Sequence, residues 1–115
     1  MTIERFHAAR RLSEMVVHNG TIYLAGQVAA DMTGDIIGQT EQVLAAIDRL
    51  LGEAGSDKSK ILFAQIFLPD MGDFAAMNAV WERWVVPGQP PSRATVEARL
   101  ANPEYKIEIV IVAAA

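Results

Sequence analysis

Along this chain the apolar positions alternate, then crowd together, then recur at helical intervals, and each change of period marks an element. "EMVVHNGTIYLAG" predicts a hairpin, with two apolar-rich runs around Asn19-Gly20, a pair that tolerates positive φ in a two-residue turn. Pairing across that turn places Met15, Val17, Ile22 and Leu24 on one face. "TIERFHA" before it reads as a further strand, and residues 31–38, "DMTGDIIG", as a loop. From Gln39 to Ala54 the period becomes helical: Val43, Ile47, Leu50, Leu51 and Ala54 share a face, and Gly55 sits where a helix would end. Ile61 to Leu68 is apolar at nearly every position, as in a strand buried on both faces. Asp70 is a predicted N-cap for a second helix carrying Phe74, Met77, Trp81 and Trp84. "RATVEARL" and "YKIEIVIVAAA" close the chain as two strands, read as a hairpin joined by residues 101–104.

The predicted order is β-β-β-α-β-α-β-β in a single domain spanning residues 1–115. Right-handed crossovers put both helices on one face of the sheet. The strands at 61–68 and 109–112 are apolar on both sides, so the uncovered face needs another layer. The chain has no residues left to supply one, which predicts an oligomer of identical copies.

The predicted hairpin pairs Glu97 with Glu108 and Thr95 with Val110. Ala94, Val96 and Ala98 then share the helix-covered side with Ile107, Ile109 and Ile111. Arg93, Thr95, Glu97, Glu108, Val110 and Val112 fall on the side another subunit must cover. A guanidinium and a carboxylate on a face about to be buried are costly unless paired or used. The residues leave two readings open, a structural or surface ion pair and a ligand site.

Composition narrows the function. The chain has 115 residues, 51% of them hydrophobic, which is ample for one packed core. A net charge of −4 argues against a nucleic-acid partner. No apolar run reaches the roughly 20 residues of a membrane span. "MTIERFHAARR" has early charges and no apolar core, so a cytoplasmic protein without a secretory leader is expected. Zero cysteines remove disulfides and thiol chemistry. His7 and His18 have no partner at metal-ligand spacing, so no metal is expected. Neither a nucleophile elbow nor a phosphate loop is present, and Met71, Met77, Trp81 and Trp84 read as core or interface filling.

"PPSRATVEARLANPEYKIEIVIVA", together with "AGQVA" after the first hairpin and "DFAAMNAVWERW" in the second helix, resembles the Rid (YjgF) family of reactive-intermediate imine deaminases. The resemblance runs from about residue 14 to the C-terminus. It implies an α+β, chorismate-mutase-like fold with a mixed sheet, assembled as a homotrimer around a central barrel with ligand clefts between subunits. It also implies that Arg93 binds a substrate carboxylate in bidentate fashion, that the main-chain N–H of Thr95 meets the same group, and that Glu108 positions the hydrolytic water. Gly26 and Asn78 match further binding positions. The implied ligand is a small carboxylate-bearing imine or keto acid, converted to a 2-oxo acid and ammonia without a cofactor. The residue types suit the task, since a planar fork matches a carboxylate and a carboxylate can deprotonate water attacking a C=N carbon.

The sequence departs from that pattern in three places. Arg10-Arg11-Leu12-Ser13 stands where the best-known deaminases carry a tyrosine in an I-G-P-Y run. Ala25 replaces the serine of S-G-Q, and Thr95 replaces a cysteine. The second functional reading is a non-catalytic trimer that binds small carboxylates as a sensor. RNA cleavage, the activity in the names of some relatives, fits poorly with an acidic chain lacking a histidine pair or a metal cluster.

Overall fold

The structure is a computed structural model and describes residues 2–115. Six strands and two helices occur in the predicted order: β1 Glu4–Phe6, β2 Met15–His18, β3 Thr21–Leu24, α1 Ile36–Glu53, β4 Ile61–Leu68, α2 Phe74–Trp84, β5 Ser92–Glu97 and β6 Glu108–Ala114. Asn19 and Gly20 form the β2–β3 turn with φ of 52° and 75°, the left-handed pair the dipeptide favours. Helix α1 begins earlier than its apolar period indicates. Asp35 caps it by accepting the Gly38 N–H at 2.9 Å, so residues 36–38 are helical rather than loop. It ends where Gly55, at φ 76°, reverses the chain and Ser56 N–H donates to Leu51 O at 2.8 Å. Asp70 accepts from Gly72 N–H in a 3-10 turn over Met71–Asp73, which leads directly into α2.

The strands form one mixed sheet in the order β1-β2-β3-β6-β4-β5. Both helices lie on the same face. Ile22, Leu24, Ala64, Ile66, Ile109 and Ile111 from the sheet pack with Val43, Leu44, Ile47, Leu51, Met77 and Trp81 from the helices in one buried core. Gln39 is fully buried and saturates its amide: it donates to the carbonyls of Met32, Gly34 and Glu104, and accepts from Lys106 N–H. That clamp fixes the segment between β5 and β6.

This segment is not a hairpin. The expected pairs 97–108 and 95–110 do not form, because β4 lies between the two strands. β5 runs parallel to β4, with Ala64 opposite Arg93 and Phe67 opposite Val96. β6 runs antiparallel to β4, with Phe67 opposite Glu108 and Gln65 opposite Val110. Two physical reasons account for this. The β4–α2–β5 unit is a helical crossover, which returns a strand parallel to its predecessor. The strand with apolar residues on both faces, β6, gains more from a central position than β5, whose alternating charges suit an edge.

The faces change accordingly. Arg93, Thr95 and Glu97 lie on the helix-covered side, aligned with Ala64, Ile66 and Leu68. Ala94 and Val96 lie on the open side with Glu108, Val110 and Val112. The open side is broadly apolar: Tyr23, Phe63, Phe67, Val96, Val110 and Val112 line it, and Tyr23 and Val96 remain 49% and 42% exposed.

Candidate functional site

Arg93 extends from the edge strand toward α2. Its guanidinium carbon lies 5.4 Å from the centroid of the Trp81 ring and 5.9 Å from that of Phe74. These two aromatics are seven residues apart on one helix face, so α2 supplies a π-surface on which the planar cation rests. Burial draws the guanidinium below its usual pKa, with the Glu82 charge acting the other way. The ion pairs among the described residues are His7–Glu53 and Arg49–Glu53, and neither involves Arg93. Cation–π contact with the two rings contributes about 0.5–2 kcal/mol.

Thr95 follows on the same face. Gln65 donates its side-chain amide to Ala94 O at 3.0 Å, and Ala98 N–H donates to Leu68 O at 3.0 Å, so the main-chain groups of the even-numbered residues face β4. The alternation turns the N–H of Thr95 outward, to the free edge of the sheet. The Thr95 hydroxyl is itself buried and has no hydrogen-bond partner. Asn78, partly buried, lies four residues after Phe74 and three before Trp81, on the face of α2 that carries the Arg93 seat.

Glu108 opens β6 on the opposite face of the sheet. Its carboxylate lies directly against Gly26, just beyond β3, in a segment tied to β6 by the Gln27–Ile109 bridge. A Cβ built on Gly26 would clash with Glu108 Oε2 and lie 2.8 Å from its Cδ. The missing side chain at Gly26 therefore creates the space this carboxylate occupies.

The five predicted residues thus form two groups. Arg93, Thr95 and Asn78 gather around β5 and α2, and Glu108 and Gly26 gather on the far side. None of them lines the concavity of about 550 Å³ beyond β5 at Glu97, Arg99 and Tyr105, the one of about 390 Å³ at Glu14, Gln27 and Arg49, or the one of about 310 Å³ between the helices at Leu44, Lys58 and Trp84. No group of His, Cys, Asp or Glu able to hold a metal occurs among the described residues. No described helix is long and apolar enough to cross a membrane. The role of Phe74 and Trp81 as the bed for Arg93 is not apparent from their pattern, which is equally that of core filling. Their shared face, together with a strand arginine after the crossover, is the signal that carries it.

The sequence profile of the family described as Endoribonuclease L-PSP matches residues 2–115. RutC family proteins of Haemophilus influenzae and of Escherichia coli, the latter YoaB, are each 53% identical, with coverage of 98% of both chains in the first case and 99% in the second. The crystal structure of NMB1025 from Neisseria meningitidis, a member of the YjgF protein family, superposes with a TM-score of 0.96 at 51% identity, covering 99% of this chain and 95% of that one. YyfA of Yersinia pestis, from the Rid protein family, superposes at 0.87 with 30% identity over 94% and 90% of the two chains. Matched in sequence over residues 2–115 and in fold to relatives that share its six-stranded mixed sheet, the chain belongs to the Endoribonuclease L-PSP family of RutC, YjgF and Rid proteins.

Proposed function

We propose that this protein is a cytoplasmic imine deaminase, of the 2-iminobutanoate/2-iminopropanoate type, that hydrolyses reactive enamine/imine intermediates of amino-acid type to 2-oxo acids and ammonia. The carrying observation is Arg93: an unpaired, partly desolvated guanidinium on two aromatic rings beside a free strand edge. Arg93 holds the substrate carboxylate with two N–H donors, and the Thr95 main-chain N–H adds a third. Water bound by Glu108 attacks the C=N carbon. One water proton passes to the carboxylate and is delivered to nitrogen, giving a carbinolamine. Glu108 then carries the hydroxyl proton to the amino nitrogen, the C–N bond breaks with its electron pair leaving on nitrogen as ammonia, and the oxygen closes the C=O of the 2-oxo acid. Glu108 serves as general base. No external cofactor enters this balance. Gly26 keeps the Glu108 carboxylate in place, and Asn78 lines the carboxylate end.

The two residue groups lie on opposite faces of one sheet, so the reading includes a homotrimer with a central barrel of apolar sheet faces and clefts between subunits. The test is ammonia release from freshly generated 2-imino acids. Acceleration by the native protein, lost in Glu108→Gln, supports the reading. If the protein binds 2-oxo acids but leaves ammonia release at its spontaneous rate, it is a carboxylate-binding trimer instead. The replacement of the tyrosine region by Leu12, 56% exposed in the single chain, makes that second outcome a real competitor.

A further inference from the structure

We infer that Gln39 is a positioning residue for the proposed hydrolysis, holding Glu108 against Gly26 through the main chain that flanks their contact. The inference rests on the deaminase reading above and deepens it. The Gln39 side chain leaves the first turn of α1 and is fully buried. Its amide nitrogen donates to Met32 O and Gly34 O, both at 3.1 Å, and to Glu104 O at 3.0 Å. Its side-chain oxygen accepts the Lys106 N–H at 2.9 Å. One side chain thus ties together two segments remote in sequence. Residues 32–34 follow the stretch that carries Gly26, and residues 104–106 lead directly to Glu108.

Glu108 needs that support because it begins its strand. It forms the terminal pair of the β4–β6 ladder, opposite Phe67, and residues 105–107 before it are irregular. Chain ends of a ladder fray unless something outside the ladder holds them. On one side the Gly26–Glu108 contact is secured by the Gln27–Ile109 bridge, whose two N–H to carbonyl bonds measure 2.8 and 3.1 Å. Gln39 secures the other side, two residues upstream of Glu108 at Lys106. A neutral amide suits the task, since a carboxylate lacks donors for the carbonyls and an ammonium lacks an acceptor for the N–H. A tie serving the fold alone could join any two parts of the core. This one joins the two segments that lead to the Glu108 carboxylate and its seat, and none of its four partners belongs to β5, where Arg93 stands.

The test reads three quantities in the native protein and two variants: kcat for ammonia release per folded molecule, calorimetric affinity for 2-oxobutanoate, and melting temperature. Gln39→Met keeps the length of the side chain and removes its hydrogen bonds. Gln39→Asn keeps the amide but draws it back by one methylene, a milder change for the fold. In Gln39→Met, kcat measured well below the melting temperature should fall roughly 10²-fold, the scale of a reacting group displaced by about 1 Å. Gln39→Asn should show a smaller loss in the same direction. Affinity for 2-oxobutanoate should stay close to native in both, because the carboxylate anchor is untouched; this split separates positioning from general loosening. If both variants melt earlier yet keep kcat within about twofold of native, Gln39 serves the fold alone and the inference is overturned. Equal losses of affinity and kcat overturn it too, as does failure of both variants to fold. A native protein that leaves ammonia release at its spontaneous rate defeats the deaminase reading itself, and the positioning role with it.

Discussion

The Glu108 carboxylate rests against the main chain of Gly26, in a space that any side chain at position 26 would fill. Two segments far apart in sequence meet there because Gln27 bridges to Ile109 and holds the end of β3 beside the start of β6. Gly26→Ala should therefore displace the carboxylate rather than the backbone, since the clashing atoms are the far end of a flexible side chain. The expected result is a deaminase rate lowered on the order of 10²-fold or more, the scale of a misplaced general base. The melting temperature should stay within a few degrees of the native value. A rate within twofold of native would separate Gly26 from the chemistry.

Arg93 carries a different signature. Arg93→Ala should abolish most binding of a 2-oxo acid while the assembly persists, because Trp81 is buried in the core independently of it. Arg93→Lys keeps the charge but loses the planar fork and its fit to the two rings, so it should recover only part of the affinity. Titration of both variants with the same ligand checks this. Equal affinities for Arg93→Lys and the native protein would argue that only charge matters.

Much of the fold was legible in the sequence where local chemistry decides it. Asn19-Gly20 announced the turn, and the apolar run from Ile61 to Leu68 coincides with β4. The neighbour of β5 was not legible. Period-two alternation separates Arg93 and Thr95 from Ala94 and Val96, yet it does not say which pair faces the helices. That depends on strand order, and strand order depends on burial across the whole sheet. The Asn102 turn misled because it does form: Glu104 N–H donates to Asn102 Oδ1 at 2.9 Å, and Tyr105 N–H to Asn102 O at 3.1 Å. It joins strands that flank β4 instead of strands that pair. The contact between Gly26 and Glu108 could be anticipated only through family resemblance, because no spacing rule links the two positions.

The open sheet face gives a test of assembly. Val110 and Val112 lie among Tyr23, Phe63 and Phe67 on the uncovered side and are only partly exposed even in one chain. If that face is buried between copies, Val110→Asp places an unpaired charge in an apolar interface. An uncompensated buried charge costs about 3–5 kcal/mol, enough to shift micromolar assembly toward free chains. Light scattering should show a trimer for the native protein and smaller species for the variant. A native protein that stays monomeric at micromolar concentration would remove the trimer from the proposal.

Complementation between two inactive variants tests whether one ligand is served by two subunits. On the β4 frame Arg93 stands opposite Ala64 and Glu108 opposite Phe67. Three residues along the strand and two strand spacings across correspond to about 14 Å between their Cα atoms, and the side chains leave opposite faces. The carboxylate carbon of a 2-imino acid is bonded directly to its C=N carbon, so one molecule cannot bridge both groups of a single chain. Mixing Arg93→Ala with Glu108→Gln, dissociating and reassembling, should then restore activity. A cleft that takes its arginine from the Glu108→Gln chain and its glutamate from the Arg93→Ala chain is intact. In a random equal mixture about a quarter of the clefts of a cyclic trimer meet that condition. Recovery near that fraction of native ammonia release is the expected outcome. Were both groups drawn from one chain, every cleft would carry a lesion and the reassembled mixture would stay inactive.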